Sequence, residues 1–175
     1  MKKLVLLFFL FCSVMVYGQK RMMFNGLELS GSKSVFLGLL REKMVVRNGF
    51  SDDCQCDFMS YFAGFQCDIT IESSVITDTV YGVIVDVWGD DILYLLRCYE
   101  KKYGDFDNIE LVGDNMIQKW NIGDYGVIGL LYDDTVGHIR IWYEDIIGSR
   151  LDAEERERLK EDEFMKLYSL AIEVI

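Results

Sequence analysis

The segment Phe36-Leu37-Gly38-Leu39-Leu40-Arg41 recurs as Ile92-Leu93-Tyr94-Leu95-Leu96-Arg97, displaced by 56 residues. The same displacement carries Val80, Val83, Val85 and Val87 onto Val136, Ile139, Ile141 and Tyr143. The first pair has the leucine spacing of an amphipathic helix, and the second the alternation of a half-buried strand. A leucine stripe alone is common, but a strand in register with it predicts that helix and strand are duplicated together. The expected fold class is α+β: a tandem duplication of a helix plus three-stranded antiparallel unit. Its helices pack on one face of the sheet, and an extra helix closes the chain. The expected organisation is a signal peptide over 1–18, one α+β domain over 19–150 and a C-terminal helix over 151–175. Within the domain the repeats run over about 21–88 and 89–145.

The N-terminus is Met1-Lys2-Lys3, an apolar run from Leu4 to Val16, then Tyr17-Gly18-Gln19. A basic head, a short apolar stretch and small residues near its end are the parts of a secretory signal. Val16 and Gly18 fit the positions read by signal peptidase, giving a mature chain that starts near Gln19. The run is too short to span a bilayer, which takes roughly 20 apolar residues. Cys12 would suit a lipoprotein, but Phe11 stands before it where lipid attachment wants a small residue. The chain is therefore expected to be exported, periplasmic or secreted, with no membrane span after cleavage.

Cleavage leaves 16 basic residues against 29 acidic ones, because Lys2 and Lys3 go with the signal. Such a chain has no basic face to displace phosphate counterions, so nucleic acid is excluded as a partner. Cys54, Cys56, Cys67 and Cys98 remain in an oxidising compartment. A one-residue spacer strains a ring between Cys54 and Cys56. The candidate disulfide therefore joins Cys54 or Cys56 to Cys67, with Cys98 an ordinary buried thiol. No paired C-x₂₋₄-C spacing for zinc is present.

Along the chain, Arg21 to Leu27 reads as a short strand, and Ser30-Gly31-Ser32 as the N-cap of a helix. Val35, Phe36, Leu39, Leu40 and Met44 share one stripe, with Asn48-Gly49 closing the helix near Arg47. Phe50 to Asp57 reads as a loop and Phe58 to Phe65 as a strand. Cys67-Ile69-Ile71 then alternates with Asp68, Thr70 and Glu72, and Tyr81-Val83-Val85-Val87 with Gly82, Ile84, Asp86 and Trp88. Gly89-Asp90-Asp91 starts the second helix, with Asp90 its cap. Its stripe is Ile92, Leu95, Leu96, Tyr99 and Tyr103, and Gly104 stops it. Gly126 to Tyr132 and Gly137 to Tyr143 are the clear strands of the second unit. Phe62 lies over Trp120, and Cys67-Ile69-Ile71 over Gly126-Ile128-Leu130, if the displacement grows by two or three residues. From Leu151 the chain turns helical and charge-interleaved, either solvated or docking a partner through Phe164, Leu167, Tyr168, Leu170 and Ile175. No proline occurs, where an average chain of this length has about nine.

Catalytic spacing is absent. The single histidine, His138, lies near Asp133 and Asp134, which is thin ground for a metal site. Asp105-Phe106-Asp107-Asn108 with Glu110 has the oxygen density of a calcium loop, without its central Gly or distal Glu. No Gly-x-Ser-x-Gly elbow is present. No metal or cofactor is assigned, and the balance is against an enzyme. If Ile139, Ile141 and Tyr143 point inward, then His138, Arg140, Trp142 and Glu144 point outward, with Asp86 and Trp88 similarly placed in the first unit. Tryptophan beside arginine is the composition of binding hot spots. The competing reading packs Trp142 under the C-terminal helix.

The chain also resembles a group of small, signal-bearing proteins of Bacteroidetes with no assigned function. The residues that carry this are Phe24-Asn25-Gly26-Leu27-Glu28-Leu29, Asn48-Gly49-Phe50, Phe62-Ala63-Gly64-Phe65, Cys67-Asp68-Ile69, Lys102-Tyr103-Gly104 and Tyr143-Glu144-Asp145. The likeness runs from about Arg21 to Asp145, departs at Asp105 where those proteins often carry Pro, and implies no activity. In architecture alone the duplicated unit is similar to beta-lactamase-inhibitor-protein-like folds and small outer-membrane assembly lipoproteins. Fold does not carry function. The expected function is an exported, non-enzymatic protein that binds an envelope or secreted protein through its open sheet face. The alternatives are a periplasmic hydrolase or small-ligand-binding protein using a pocket between the repeats, and an envelope-maintenance factor.

Overall fold

The computed structural model describes residues 20–52, 54–89, 93–112, 115–133 and 137–173; the expected signal segment and the Asp90 cap lie outside them. The elements are β1 (Met23–Phe24), β2 (Leu27–Glu28), α1 (Lys33–Lys43), β3 (Arg47–Ser51), β4 (Gln55–Phe62), β5 (Phe65–Ser73) and β6 (Val80–Trp88). There follow α2 (Leu93–Tyr103), β7 (Asn108–Val112), β8 (Asn115–Ile122), β9 (Gly126–Asp133), β10 (His138–Asp145) and α3 (Ile146–Glu173). Strands β3 to β10 form one eight-stranded sheet in the order β3-β4-β5-β6-β10-β9-β8-β7. All its neighbouring strands are antiparallel. The last strands of the two halves, β6 and β10, meet at its centre.

Period-two alternation sends one set of side chains to the core. Phe58, Ile69, Ile71, Val83, Val85, Val87, Trp120, Ile128, Leu130, Ile139 and Ile141 are buried together with Phe36 and Leu40 of α1 and Leu95 and Tyr99 of α2. Helices α1 and α2 thus share a core with one face of the sheet. The β1–β2 hairpin adds Phe24 and Leu27 to it.

Helices α1 and α2 are each followed by four strands rather than three. The additional strands, β3 and β7, are the two edges. Of the segment expected to be a loop from Phe50 to Asp57, Phe50 and Ser51 end β3 and Gln55 to Asp57 start β4. Ile109 and Leu111 on β7 are exposed, so edge burial leaves no alternation to read. The segment Phe58 to Phe65 is a hairpin, not one strand, turning at Ala63 and Gly64 with φ of +50° and +90°. Arg21 to Leu27 is likewise a hairpin around Asn25 and Gly26, the Asn-Gly pair that favours a tight turn with both φ positive.

Helix α1 ends at Lys43, so Asn48-Gly49 belongs to β3. Ser32 occupies the N-cap of α1 but makes no side-chain cap. The orphan N–H of Lys33 instead donates to Asp78 in the β5–β6 loop, at 3.0 Å to its carbonyl and 3.2 Å to Oδ2. Helix α3 begins at Ile146, directly after β10. Asp145 is its cap, accepting Gly148 N–H at 2.8 Å. The same fully buried carboxylate accepts Arg21 Nη1 at 2.5 Å and Met22 N–H at 3.0 Å, tying the segment before β1 to the end of β10.

Candidate binding face

The antiparallel register of β6 and β10 sets Asp86 opposite Arg140, Trp88 opposite His138, Ile84 opposite Trp142 and Gly82 opposite Glu144. With Val83, Val85, Ile139 and Ile141 buried in the core, parity sends all six expected site residues to the other face. Four of them meet. Asp86 Oδ1 accepts His138 Nε2 at 2.7 Å and Arg140 Nε at 2.8 Å, and its Oδ2 accepts Arg140 Nη2 at 3.1 Å. The guanidinium and carboxylate form a two-point fork, which fixes Arg140 in orientation as well as charge. The Asp86 hydrogen bond also pushes the Arg140 guanidinium further above its ordinary range. Trp88 stacks on His138 with ring centres 5.0 Å apart and planes at 21°. Asp86 is the buried anchor, with 12% of its side chain exposed, while Arg140 is 52% exposed.

The other two residues stand apart. The Trp142 ring lies on Gly129, its direct neighbour across the β9–β10 pair. A Cβ on Gly129 would fall 1.8 Å from Trp142 Cζ2, so the glycine leaves the slot that the indole fills. Glu144 lies toward α3, close enough to Glu72 to raise the Glu72 carboxyl, with burial the larger cause. Around the cluster, the sequence reading missed Met59, Gln66 and Asp68, which line a depression of about 350 Å³ beside Trp88. Asp68 is opposite Asp86 on β5. Its outward parity was readable from Cys67 and Ile69, but its neighbour was not until β5 and β6 were paired.

All four described thiols are free. Cys56 pairs opposite Ile71, while Cys67 pairs opposite Ser60. Four residues of strand between them amount to about 13 Å, beyond the roughly 7 Å that a disulfide can close. Cys54 is farther along the same direction. Among the described residues no group of three His, Cys, Asp or Glu is placed to hold a metal ion. In the acidic turn after α2, Asp107 Oδ2 accepts Asn121 N–H at 2.6 Å and Glu110 pairs with Lys119.

The first turns of α3 pack by polar contacts at the end of the sheet. Tyr81 hydroxyl donates to Asp152 at 3.3 Å, and Glu155 accepts Ile76 N–H at 2.7 Å and the Thr77 hydroxyl at 2.7 Å. From Arg156 to Lys166 the helix is exposed, including Leu159, Phe164 and Met165. The side chains of Leu167, Tyr168, Leu170 and Ile175 lie outside the described residues. No helix among the described residues is long and apolar enough to cross a membrane.

A second concavity, a cleft of about 530 Å³, opens on the helical side between α2, the β1–β2 hairpin and the turns of both long hairpins. Residues of both halves line it, including Phe62 and Ala63 from the first and Tyr99, Lys102, Tyr103 and Tyr143 from the second. The hydroxyls of Tyr99 and Tyr143 are hydrogen-bonded to each other, and burial pushes both phenols well above their ordinary range. His138 is not part of this cleft, and no carboxylate is among the described residues that line it.

Compared with protein-family models, curated proteins and solved structures, the chain finds no match.

Proposed function

We propose that this is an exported, non-enzymatic protein that binds another macromolecule through the sheet face carrying Trp88, His138, Asp86 and Arg140. The observation that carries the reading is the Arg140–Asp86 fork on an open strand pair with a half-exposed tryptophan stacked beside it. An arginine held before the partner arrives loses little side-chain freedom on binding. Arginine and tryptophan are also the side chains that dominate binding energy. Trp142 belongs to the same face but stands apart from the cluster, with its ring seated on Gly129. The partner is an envelope or secreted protein, in line with the signal-like N-terminus and the resemblance to signal-bearing proteins of Bacteroidetes. Crosslinked affinity capture from envelope and medium tests this, with Trp88→Ala and Arg140→Ala combined as the control. A stoichiometric partner lost with the double substitution is the expected outcome. A partner retained by it, or an empty capture, removes this face from consideration.

The tandem duplication belongs to the same proposal. Its support is the sheet order, in which two helix-plus-four-strand halves meet by their last strands. The displacement of 56 residues carries Val85 onto Ile141, its direct partner across β6 and β10. A two-fold relation between the halves therefore passes between these residues. In this register Ser60, not Phe62, corresponds to Trp120, since Ser60 faces Cys67 and Trp120 faces Ile128.

A second reading is a small-ligand-binding protein, favoured by the cleft that draws on both halves. Among the described residues its lining offers no acid–base pair, which favours binding over hydrolysis.

A further inference from the structure

The Tyr99–Tyr143 pair is chemically incomplete. Two hydroxyls bonded to each other use one proton between them, and the acceptor's own O–H still needs a partner. Among the described residues neither hydroxyl makes any other hydrogen bond. Both residues are 6% exposed, so water does not freely serve them, and both line the cleft on the helical side. A buried donor without an acceptor is costly, so the site favours whatever supplies one. Their raised phenol pKa values keep both groups protonated, and hence donors, across the physiological range.

Charge supplies the second constraint. The protein carries 29 acidic residues against 18 basic ones, yet the charged side chains lining this cleft are Arg21 and Lys102. Arg21 is already paired with Asp145. Lys102 sits 4.7 Å from the ring centre of Tyr103 and is the cation left to meet an anion. Apart from Asn25, the remaining wall is largely apolar or aromatic, with Met23, Phe62, Leu95 and Ile122 among its residues. The volume lies within the roughly 300–1,000 Å³ of small-molecule sites.

We infer that the cleft binds a small amphipathic carboxylate, its apolar or aromatic body against Phe62, Leu95 and Ile122 and its carboxylate reaching the Tyr99–Tyr143 hydroxyls and Lys102. The inference rests on the small-ligand reading of the cleft and is independent of the sheet face. Every contact it uses is non-covalent; the carboxylate accepts the spare phenolic proton in a hydrogen bond and pairs with the ammonium.

Calorimetric titration of the mature chain with naphthalene-2-carboxylate, its neutral amide and 2-methylnaphthalene tests it. The acid has charge and acceptor, the amide keeps only the acceptor, and the hydrocarbon has neither. The acid is expected to bind tightest, and Lys102→Met to weaken it about tenfold while leaving the amide unchanged. Tyr143→Phe is expected to remove the amide's advantage over the hydrocarbon. Lys102 is exposed, so its variant reads binding even if the tyrosine variant unfolds. The Trp88 and Arg140 double substitution should leave all three affinities unchanged, which separates this site from the sheet face. Absence of acid binding at about 1 mM overturns the small-ligand reading itself. Equal binding of acid, amide and hydrocarbon, unmoved by Lys102→Met, leaves an apolar cleft and overturns the carboxylate assignment.

Discussion

Single positions carry much of the local logic of this chain, and hairpin turns show it most simply. The β1–β2 turn uses Asn25-Gly26, suited to two positive φ values, whereas the β4–β5 turn places Ala63 at φ +50°. A left-handed alanine costs about 1–2 kcal/mol, and asparagine tolerates that region better. Ala63→Asn should therefore raise the unfolding free energy by about 0.5–1 kcal/mol in urea titration, with an unchanged m-value. Gly129 is constrained in the opposite sense, by space and not by φ. Gly129→Ala must lift the Trp142 indole off the sheet, at a cost of about 1–3 kcal/mol. If the clash is the cause, the same substitution should cost much less in a Trp142→Ala background. Equal costs in the two backgrounds would mean that the indole is not seated there. Asp145 is the third such position, one carboxylate serving Arg21, Met22 and the α3 cap, which gives the Tyr143-Glu144-Asp145 motif a structural role.

At the scale of elements, two carboxylates near the start of α3, Glu72 and Glu155, have opposite pH behaviour. Burial pushes the Glu72 carboxyl above its ordinary 4.5, and Glu144 and Asp152 add to this. The folded chain then binds that proton more tightly than the unfolded one, so stability falls as pH rises from about 4.5 through the folded value. Burial also pushes Glu155 up, but hydrogen bonds from Thr77 and Ile76 outweigh it and hold the group below 4.5. Its contribution is present above that value and is lost as pH falls through the folded one. Glu72→Gln should raise Tm at about pH 7, with the gain vanishing near pH 3, while Glu155→Gln should lower Tm at about pH 7 and change little near pH 3. Melting scans at the two pH values decide it, and parallel behaviour of both variants would refute the opposition. The central strands were legible in the sequence because Ile69, Val85, Ile139 and their neighbours alternate with polar residues. The edge β7 was not, since its residues from Asn108 to Leu111 are exposed on both sides and leave no burial period. The outward parity of His138 and Arg140 was also legible. Their meeting with Asp86 was not, because it requires β6 and β10, 50 residues apart from Trp88 to His138, to be neighbours. The cleft was hidden for the same reason, as its walls come from five separate stretches of chain.

At the scale of the molecule, the sheet is symmetric about β6 and β10, with two strands of each half flanking them and one at each edge. Hydrogen exchange should follow that order, slowest in β5, β6, β10 and β9 and fastest in β3 and β7, because a central strand opens only when its neighbours do. A chain made of two independently stable halves would behave differently, exchanging one half before the other. Val85 and Ile141 test which description holds, since both are fully buried and they face each other across the join. Ile141→Ala should cost about 2–5 kcal/mol from the lost burial and the cavity it leaves. If β6 and β10 form one core, Val85→Ala opens the same cavity, and the double variant departs from additivity by about 0.5–1 kcal/mol or more. Additive costs, with two separated unfolding transitions, would show that the halves are packed side by side without sharing stability. Non-additive costs in a single transition tie the Asp86–Arg140 fork to the strength of the join. One of its residues comes from each half, so the proposed binding face would then exist only in the assembled sheet.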